Sequence, residues 1–285
     1  MRRQSAGRVV CVWLIVGAFA TWLDARGEEA LVARLWTYDG ARSSMTESRF
    51  VVSVGTAAKL AEDHPATNYA LLRNERKRTD LEAYDRLLAR VRNLREPLAD
   101  DELSIAIGAV DKARSFGDRP EHRVLASPDG DYVALAPQFS RPVVVNTRTL
   151  ETYRLLDQSD PLQLPMAWSS DSRSLAFAPS EASGQIFIYD VRQHAQQPTI
   201  EGPGRLITAL QWSSDNTQLA SLDLVNRRLH KTPLGLFVAG MGHPDYRNDL
   251  VLRIYTFAGR ISAPVQLKRD LTEQSAYDYW IEWRQ

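Results

Sequence analysis

Apolar and polar side chains alternate with period two through most of residues 119–285, and the alternation comes in copies. "LASPDGDYVALAP" (125–137), "AWSSDSRSLAFAP" (167–179) and "QWSSDNTQLASLD" (211–223) share one pattern, with Asp129, Asp171 and Asp215 spaced 42 and 44 residues apart. Each copy opens on a strand whose alternate positions are apolar. Leu164, Met166 and Trp168 share a face in the second, and Leu206, Thr208, Leu210 and Trp212 in the third, while the same face ends in Ala126 in the first. A tryptophan on that face buries a broad ring against a neighbouring sheet. The Ser-x-Asp segment is turn chemistry, in which Pro128 presets φ, the aspartate bonds nearby backbone N–H groups and Gly130 tolerates positive φ. Ser172 and Asn216 stand at the glycine position in the later copies, and because serine enters the left-handed region less readily, the second turn is expected to differ in type. A returning strand follows each turn. Third strands read from "PVVVNT" (142–147) and "QIFIYDV" (185–191), and an outer strand from "ETYRLL" (151–156). Four short strands in about 42 residues is one blade of a β-propeller.

Tyr279, Ile281 and Trp283 begin the same face again where the sequence ends. Trp283 lies 71 residues after Trp212, against 44 between Trp168 and Trp212, and most of the surplus falls in 226–249. The expected fold is therefore mainly β: a partial or small propeller of three recognisable blades plus the start of a fourth. Such a ring does not close from 119–285 alone. Strands from 31–56 could complete the last blade, a partner or a second copy could cover the open sheet edge, or the chain could be a truncated relative of a larger protein. Upstream, "LVARLWTYDGA" alternates into Asp39-Gly40, a hairpin signal, and "RFVVSV" (49–54) is β-branched.

Between Ala57 and Phe116 the period becomes helical. Leu81, Tyr84, Leu88 and Val91 recur at helical spacing, Thr79 with Glu82 reads as a capping box at the helix start, and Pro97 marks its end. Leu103, Ile107 and Val110 predict a second helix, with Asp100 or Asp101 in its first turn and Gly117 near its stop. The basic run "RNERKR" (73–78) reads as a solvated loop or helix face. These signals divide the chain into a signal segment (1–20), N-terminal strands and helices (21–118) and a propeller region (119–285).

The first twenty residues change the picture of compartment. Arg2, Arg3 and Arg8 precede the apolar run "VVCVWLIVGAFA", and Ala18-Phe19-Ala20 resembles a signal-peptidase site. The run is shorter than the roughly 20 residues that a spanning helix needs. Cleavage after Ala20 predicts export, to a bacterial periplasm; retention as an anchor is the alternative and the one expected route to a membrane. Cleavage removes three arginines and no acid, taking the net charge from zero to −3. The single Cys11 goes with the signal, so the mature chain has no thiol for disulfide, metal or nucleophile chemistry. A neutral to mildly acidic chain also argues against nucleic acid as a partner.

The repeats resemble the WD40-like propeller repeats of the TolB-like type, whose usual signature is a "WSPDGxxLAF" segment followed by "IYxxD". The resemblance covers residues 119–285 and implies the propeller fold, with functions ranging from periplasmic binding proteins and scaffolds to the non-catalytic half of prolyl-oligopeptidase-type peptidases. "FVAGMGHPDYRNDLVLRIYTF" (237–257) and "DYWIEWRQ" (278–285) look like segments of the dipeptidyl-peptidase propeller. Those peptidases carry a Gly-x-Ser-x-Gly elbow, which this sequence lacks.

Candidate chemistry is sparse. The five histidines form no metal-ligating pair and no glycine-rich phosphate loop occurs, so neither metal nor cofactor is expected. Asp129, Asp171 and Asp215 are read as turn residues, not as a ring of ligands. The insertion holds Arg227, Arg228, His230, His243, Tyr246 and Arg247, donors and an aromatic of the kind enriched at contact sites. The expected function is that of an exported, non-enzymatic module or scaffold binding a protein or peptide. The competing class is a hydrolase-associated propeller, a non-catalytic part or relative of a prolyl-oligopeptidase or dipeptidyl-peptidase-type serine hydrolase. A third is purely structural.

Overall fold

A computed structural model describes residues 30–39, 44–53, 59–65, 69–94, 102–115, 124–137, 140–157, 164–179, 185–200, 206–228, 246–257, 264–272 and 276–284. The signal segment 1–20 lies outside them. Among the described residues no helix is long and apolar enough to cross a membrane.

Each repeat becomes a four-stranded antiparallel sheet. β4 (Val124–Ala126), β5 (Tyr132–Leu135), β6 (Val143–Asn146) and β7 (Thr152–Arg154) form blade 1 in that order. Blade 2 is β8 (Met166–Trp168), β9 (Ser174–Phe177), β10 (Ile186–Asp190) and β11 (Ala195–Ile200). Blade 3 is β12 (Leu206–Trp212), β13 (Gln218–Arg228), β14 (Tyr246–Thr256) and β15 (Val265–Thr272). Blade 4 joins the two ends of the chain. Its inner strand is β16 (Ala276–Arg284), and β1 (Ala30–Asp39), β2 (Ser44–Ser53) and β3 (Lys59–Pro65) continue outward from it. The molecule is thus a four-bladed β-propeller: β1 and β2, from 31–56, supply two of the strands that the last blade lacked, and the third, β3, falls in the segment whose period reads as helical.

The inner strands β4, β8, β12 and β16 stand side by side, and three tryptophans bind them in one direction. Trp168 donates its indole N–H to the carbonyl of Leu125 (3.1 Å), Trp212 to that of Ala167 (3.0 Å) and Trp283 to that of Gln211 (3.2 Å). Each ring packs into the seam with the blade before it. Trp168, Leu175 and Phe177 meet Ala134 and Val144 of blade 1, Trp212 and Tyr255 meet Ala176 and Ile188 of blade 2, and Ile281 meets Leu222 and Leu252 of blade 3.

In the third copy the buried face is not wholly the expected one. A register shift between Ile207 and Ala209 inverts the alternation upstream of it, so Ile207 is buried and Leu206 is 40% exposed.

α1 (Tyr69–Arg92) and α2 (Glu102–Ser115) lie within the crossover from β3 to β4, which takes 58 residues where the other three inter-blade crossovers take 11, 5 and 3. α1 begins ten residues before Thr79, so Thr79 and Glu82 do not cap it, and "RNERKR" is helical. The run lacks Gly and Pro, and with no competing breaker the helix extends through it. Tyr84, Leu87, Leu103 and Val110 pack on Val133, Leu135, Val143 and Val145, covering the face of blade 1 opposite the one that packs on blade 2. The Tyr84 hydroxyl donates to Asp111 (3.1 Å) and ties the helices together.

Replacing Trp212 by Phe keeps most of the apolar burial and deletes the indole donor. A lost hydrogen bond of this kind is worth about 1 kcal/mol, so the melting temperature of Trp212→Phe should fall by roughly 2–4 °C, measured by calorimetry. Trp212→Ala should cost about 3–5 kcal/mol. A Phe variant as damaged as the Ala variant would place the stabilisation outside the indole bond.

Candidate interaction surface

The propeller has two ends, and the sequence builds them differently. At one end lie the Ser-x-Asp turns. In the first, the Ser127 hydroxyl donates to Asp129 (2.6 Å), Asp129 accepts from the Asp131 N–H (3.0 Å), and Ser127 accepts from the Tyr132 N–H (3.0 Å). The same three bonds recur from Ser169, Asp171 and Arg173, and from Ser213, Asp215 and Thr217. These aspartates hold backbone and hydroxyl groups. At Asp215 the Ser213 hydroxyl and the Thr217 N–H hold the carboxyl below its usual 3.8. At Asp171 burial pushes the value up, but the Ser169 hydroxyl, the Arg173 N–H and the Arg173 charge outweigh it and the net shift is downward.

The second turn does not differ in type. Gly130, Ser172 and Asn216 all take positive φ, at 74°, 59° and 60°. Serine and asparagine are tolerated there because their side chains hook the preceding blade. The Ser172 hydroxyl accepts from the Asp129 N–H (3.0 Å), and the Asn216 amide oxygen accepts from the Ser170 N–H (2.7 Å). Pro128 occupies the place of Ser170 and has no N–H, so the first hook moves one residue on.

The opposite end carries two long hairpins. β13 and β14 have eleven residues each and stay paired from Gln218↔Thr256 to Arg228↔Tyr246, whereas the corresponding strands of blades 1 and 2 have four or five. At about 3.4 Å per residue the ribbon outruns those blades by about 20 Å. β1 and β2, ten residues each, pair out to Asp39↔Ser44 at the same end, on the adjoining blade. Arg227 and Arg247 face each other across the ribbon, and Arg228 and Tyr246 form its last described rung. His230 and His243 lie outside the described residues.

The base of the ribbon holds a buried polar cluster that the sequence reading missed. Asp223 is fully buried; it accepts from the Ser221 hydroxyl (2.6 Å) and from Nε of Arg253 (3.0 Å), whose side chain is 15% exposed. Asp249, also buried, accepts from the Gln266 amide (2.6 Å). A signal was present: Ser221 and Asp223 stand where the earlier copies have Leu135 and Phe177, then Pro137 and Pro179. This cluster fixes the point where the ribbon leaves the blade body.

Two expectations about these groups can be measured. The ionised Asp215 contributes stability above the ordinary carboxylate value, and that contribution is lost as pH falls through its lowered folded value. Asp215→Asn keeps an acceptor and removes the titration, so denaturation midpoints recorded from pH 6 down to about pH 3 should fall less steeply than in the parent. For the cluster, Arg253→Met strands a buried carboxylate and should cost about 3–5 kcal/mol in urea denaturation. The double change Arg253→Met with Asp223→Leu should recover most of it. No recovery would mean that the cluster is not the source of the loss.

No family model matches the chain, and no curated protein matches it. Solved structures similar to it include the WD40 repeats of RRP9 (14% identity, TM-score 0.34, covering 54% of this chain and 39% of that one). An oligogalacturonate lyase from Vibrio parahaemolyticus matches at 15% identity and TM-score 0.36, over 52% of this chain and 39% of that one. The β-propeller domain of the Trilobed protease from Pyrococcus furiosus, described as having an open velcro topology, matches at 13% identity and TM-score 0.33, over 85% of this chain and 54% of that one. The chain spans between two-fifths and just over half the length of these structures.

Proposed function

We propose that this chain is an exported, non-enzymatic propeller platform that binds a protein or peptide at the end from which the two long hairpins rise. The observation that carries the reading is the β13–β14 ribbon. Its strands run well past blades 1 and 2, its base is held by the buried Asp223–Arg253 pair, and its last described rungs place Arg227 opposite Arg247 and Arg228 opposite Tyr246. Long elements on a rigid β scaffold are where binding residues concentrate, and tyrosine and arginine are the residues that most often dominate contact energies. Export rests on the basic and apolar pattern of residues 1–20, and the non-enzymatic character on the lack of a nucleophile elbow in the sequence.

The test uses the full chain and a variant in which residues 229–245 are replaced by Asn-Gly, a two-residue turn that closes the ribbon. Both are tagged, crosslinked in cells and recovered from the envelope fraction. The expected result is one or more crosslinked partners that disappear with the shortened ribbon while the melting temperature stays within a few degrees. The same partners at the same yield from both proteins would overturn the assignment of the site. Turnover of proline-containing peptides by the purified chain, abolished by a serine-reactive probe, would overturn the non-enzymatic reading.

A further inference from the structure

Leu31, Ala33 and Leu35 of β1 pack toward blade 3, so Val32, Arg34 and Trp36 belong to the opposite face of blade 4. By register Glu47, Arg49 and Val51 share that face on β2, and Trp280 and Glu282 share it on β16. Arg34 and Arg49 stand directly opposite one another across the β1–β2 ladder. Like charges in that position repel.

Arg34 is compensated. Its Nη1 is 3.1 Å from Glu47, its Nη2 is 3.7 Å from Glu282, and its guanidinium lies over the Trp280 ring at 5.6 Å. Arg49 has no ion pair among the described residues. The Nε atoms of Arg34 and Arg49 are both shut off from water and have no acceptor. Charged donors in that condition are among the least favourable groups to bury unmade. The Arg34 side chain retains 14% exposure and Arg49 is half-buried, so part of each side chain meets solvent although neither Nε does.

We propose that the Arg34–Arg49 rung is a binding subsite for an oxyanion, the carboxylate or phosphate group of a small ligand. The anion relieves the repulsion between the guanidinium groups and accepts from the two unmatched Nε–H donors once a small shift of the side chains opens them to it. Glu47 and Glu282 already balance Arg34, so among the described residues Arg49 supplies the uncompensated positive charge. A planar guanidinium recognises a two-oxygen anion by geometry as well as by charge. By register Glu62 of β3 stands opposite Arg49. This inference is independent of the platform reading above.

The test is nuclear magnetic resonance of the full chain labelled with ¹⁵N-arginine, following the arginine Nε–H signals. Inorganic phosphate and acetate are titrated separately against sodium chloride at constant ionic strength. Two Nε–H signals should shift saturably, and Arg49→Met should weaken the response at least about tenfold while melting within a few degrees of the parent. Arg49→Lys keeps the charge without the Nε–H geometry and should also weaken it, which guards against a folding defect in the Met variant. A response to phosphate alone assigns a phosphate group, and one to acetate assigns a carboxylate. No saturable shift with either anion, or a response unchanged in Arg49→Met, would overturn the proposal.

Discussion

The hydrogen bond from an indole N–H to a carbonyl on the preceding inner strand is the contact on which the blade packing depends. Tryptophan suits the position twice over, because it buries a wide ring in the seam and still directs a donor at the neighbouring backbone. The bonds from Trp168, Trp212 and Trp283 all point backward along the chain, so each blade is located by the one before it. The turn hooks from Ser172 and Asn216 point the same way and add a second fixed point to the first two seams. Two directed bonds at different heights define the rotation of one sheet on the next far better than apolar contact alone, since the hydrophobic effect has no direction.

The series stops at blade 1, where both backward-reaching groups are missing. Ala126 stands in the tryptophan position and Gly130 in the hook position, and a Cβ at Gly130 would meet nothing within 4 Å. The backbone N–H of Ala126 is instead taken by the carboxylate of Asp80 on α1 (2.8 Å). The helical crossover therefore serves blade 1 as a blade serves its neighbour, supplying both an apolar face and a directed bond. Glycine is free to be glycine where nothing needs hooking, and serine accepts an unfavourable φ where something does.

How much of this the sequence revealed follows from how local each cause is. The repeated Trp and Ser-x-Asp pattern identified the blades because turn bonds and strand alternation act within a few residues. The fourth blade was harder, since Leu31 meets Trp283 only when the two ends of the chain pair. That pairing leaves no mark in either segment beyond ordinary alternation. The start of α1 was misplaced because Thr79 and Glu82 fit a capping box, while the residues before them contain nothing that stops a helix. Of the insertion residues, Arg227, Arg228, Tyr246 and Arg247 proved to be strand positions on one ribbon, which their spacing of about twenty residues could not show. The Asp223–Arg253 pair went unremarked although Asp223 broke the apolar pattern of its copy. Its partner lies thirty residues away across a hairpin, beyond the reach of any local rule.

The placement of the long hairpins on neighbouring blades has a physical reason. An isolated two-stranded ribbon is marginal in water, and a hydrophobic face backed by another sheet is what makes it persist. The upper parts of blades 3 and 4 supply this to each other. Leu35 of β1 joins Leu250, Leu267 and Leu271 of blade 3 in one core with Leu224 packed against it, and Lys268 donates to the buried hydroxyl of Ser48 at 2.9 Å. The inner side of the pair is therefore apolar and mutual, and the outer sides are free to carry charge. On blade 3 that outer side holds the Asp223–Arg253 cluster, and on blade 4 it holds the Arg34–Arg49 rung. Both concentrations of buried charge thus sit on sheets whose other faces are fixed by the same core.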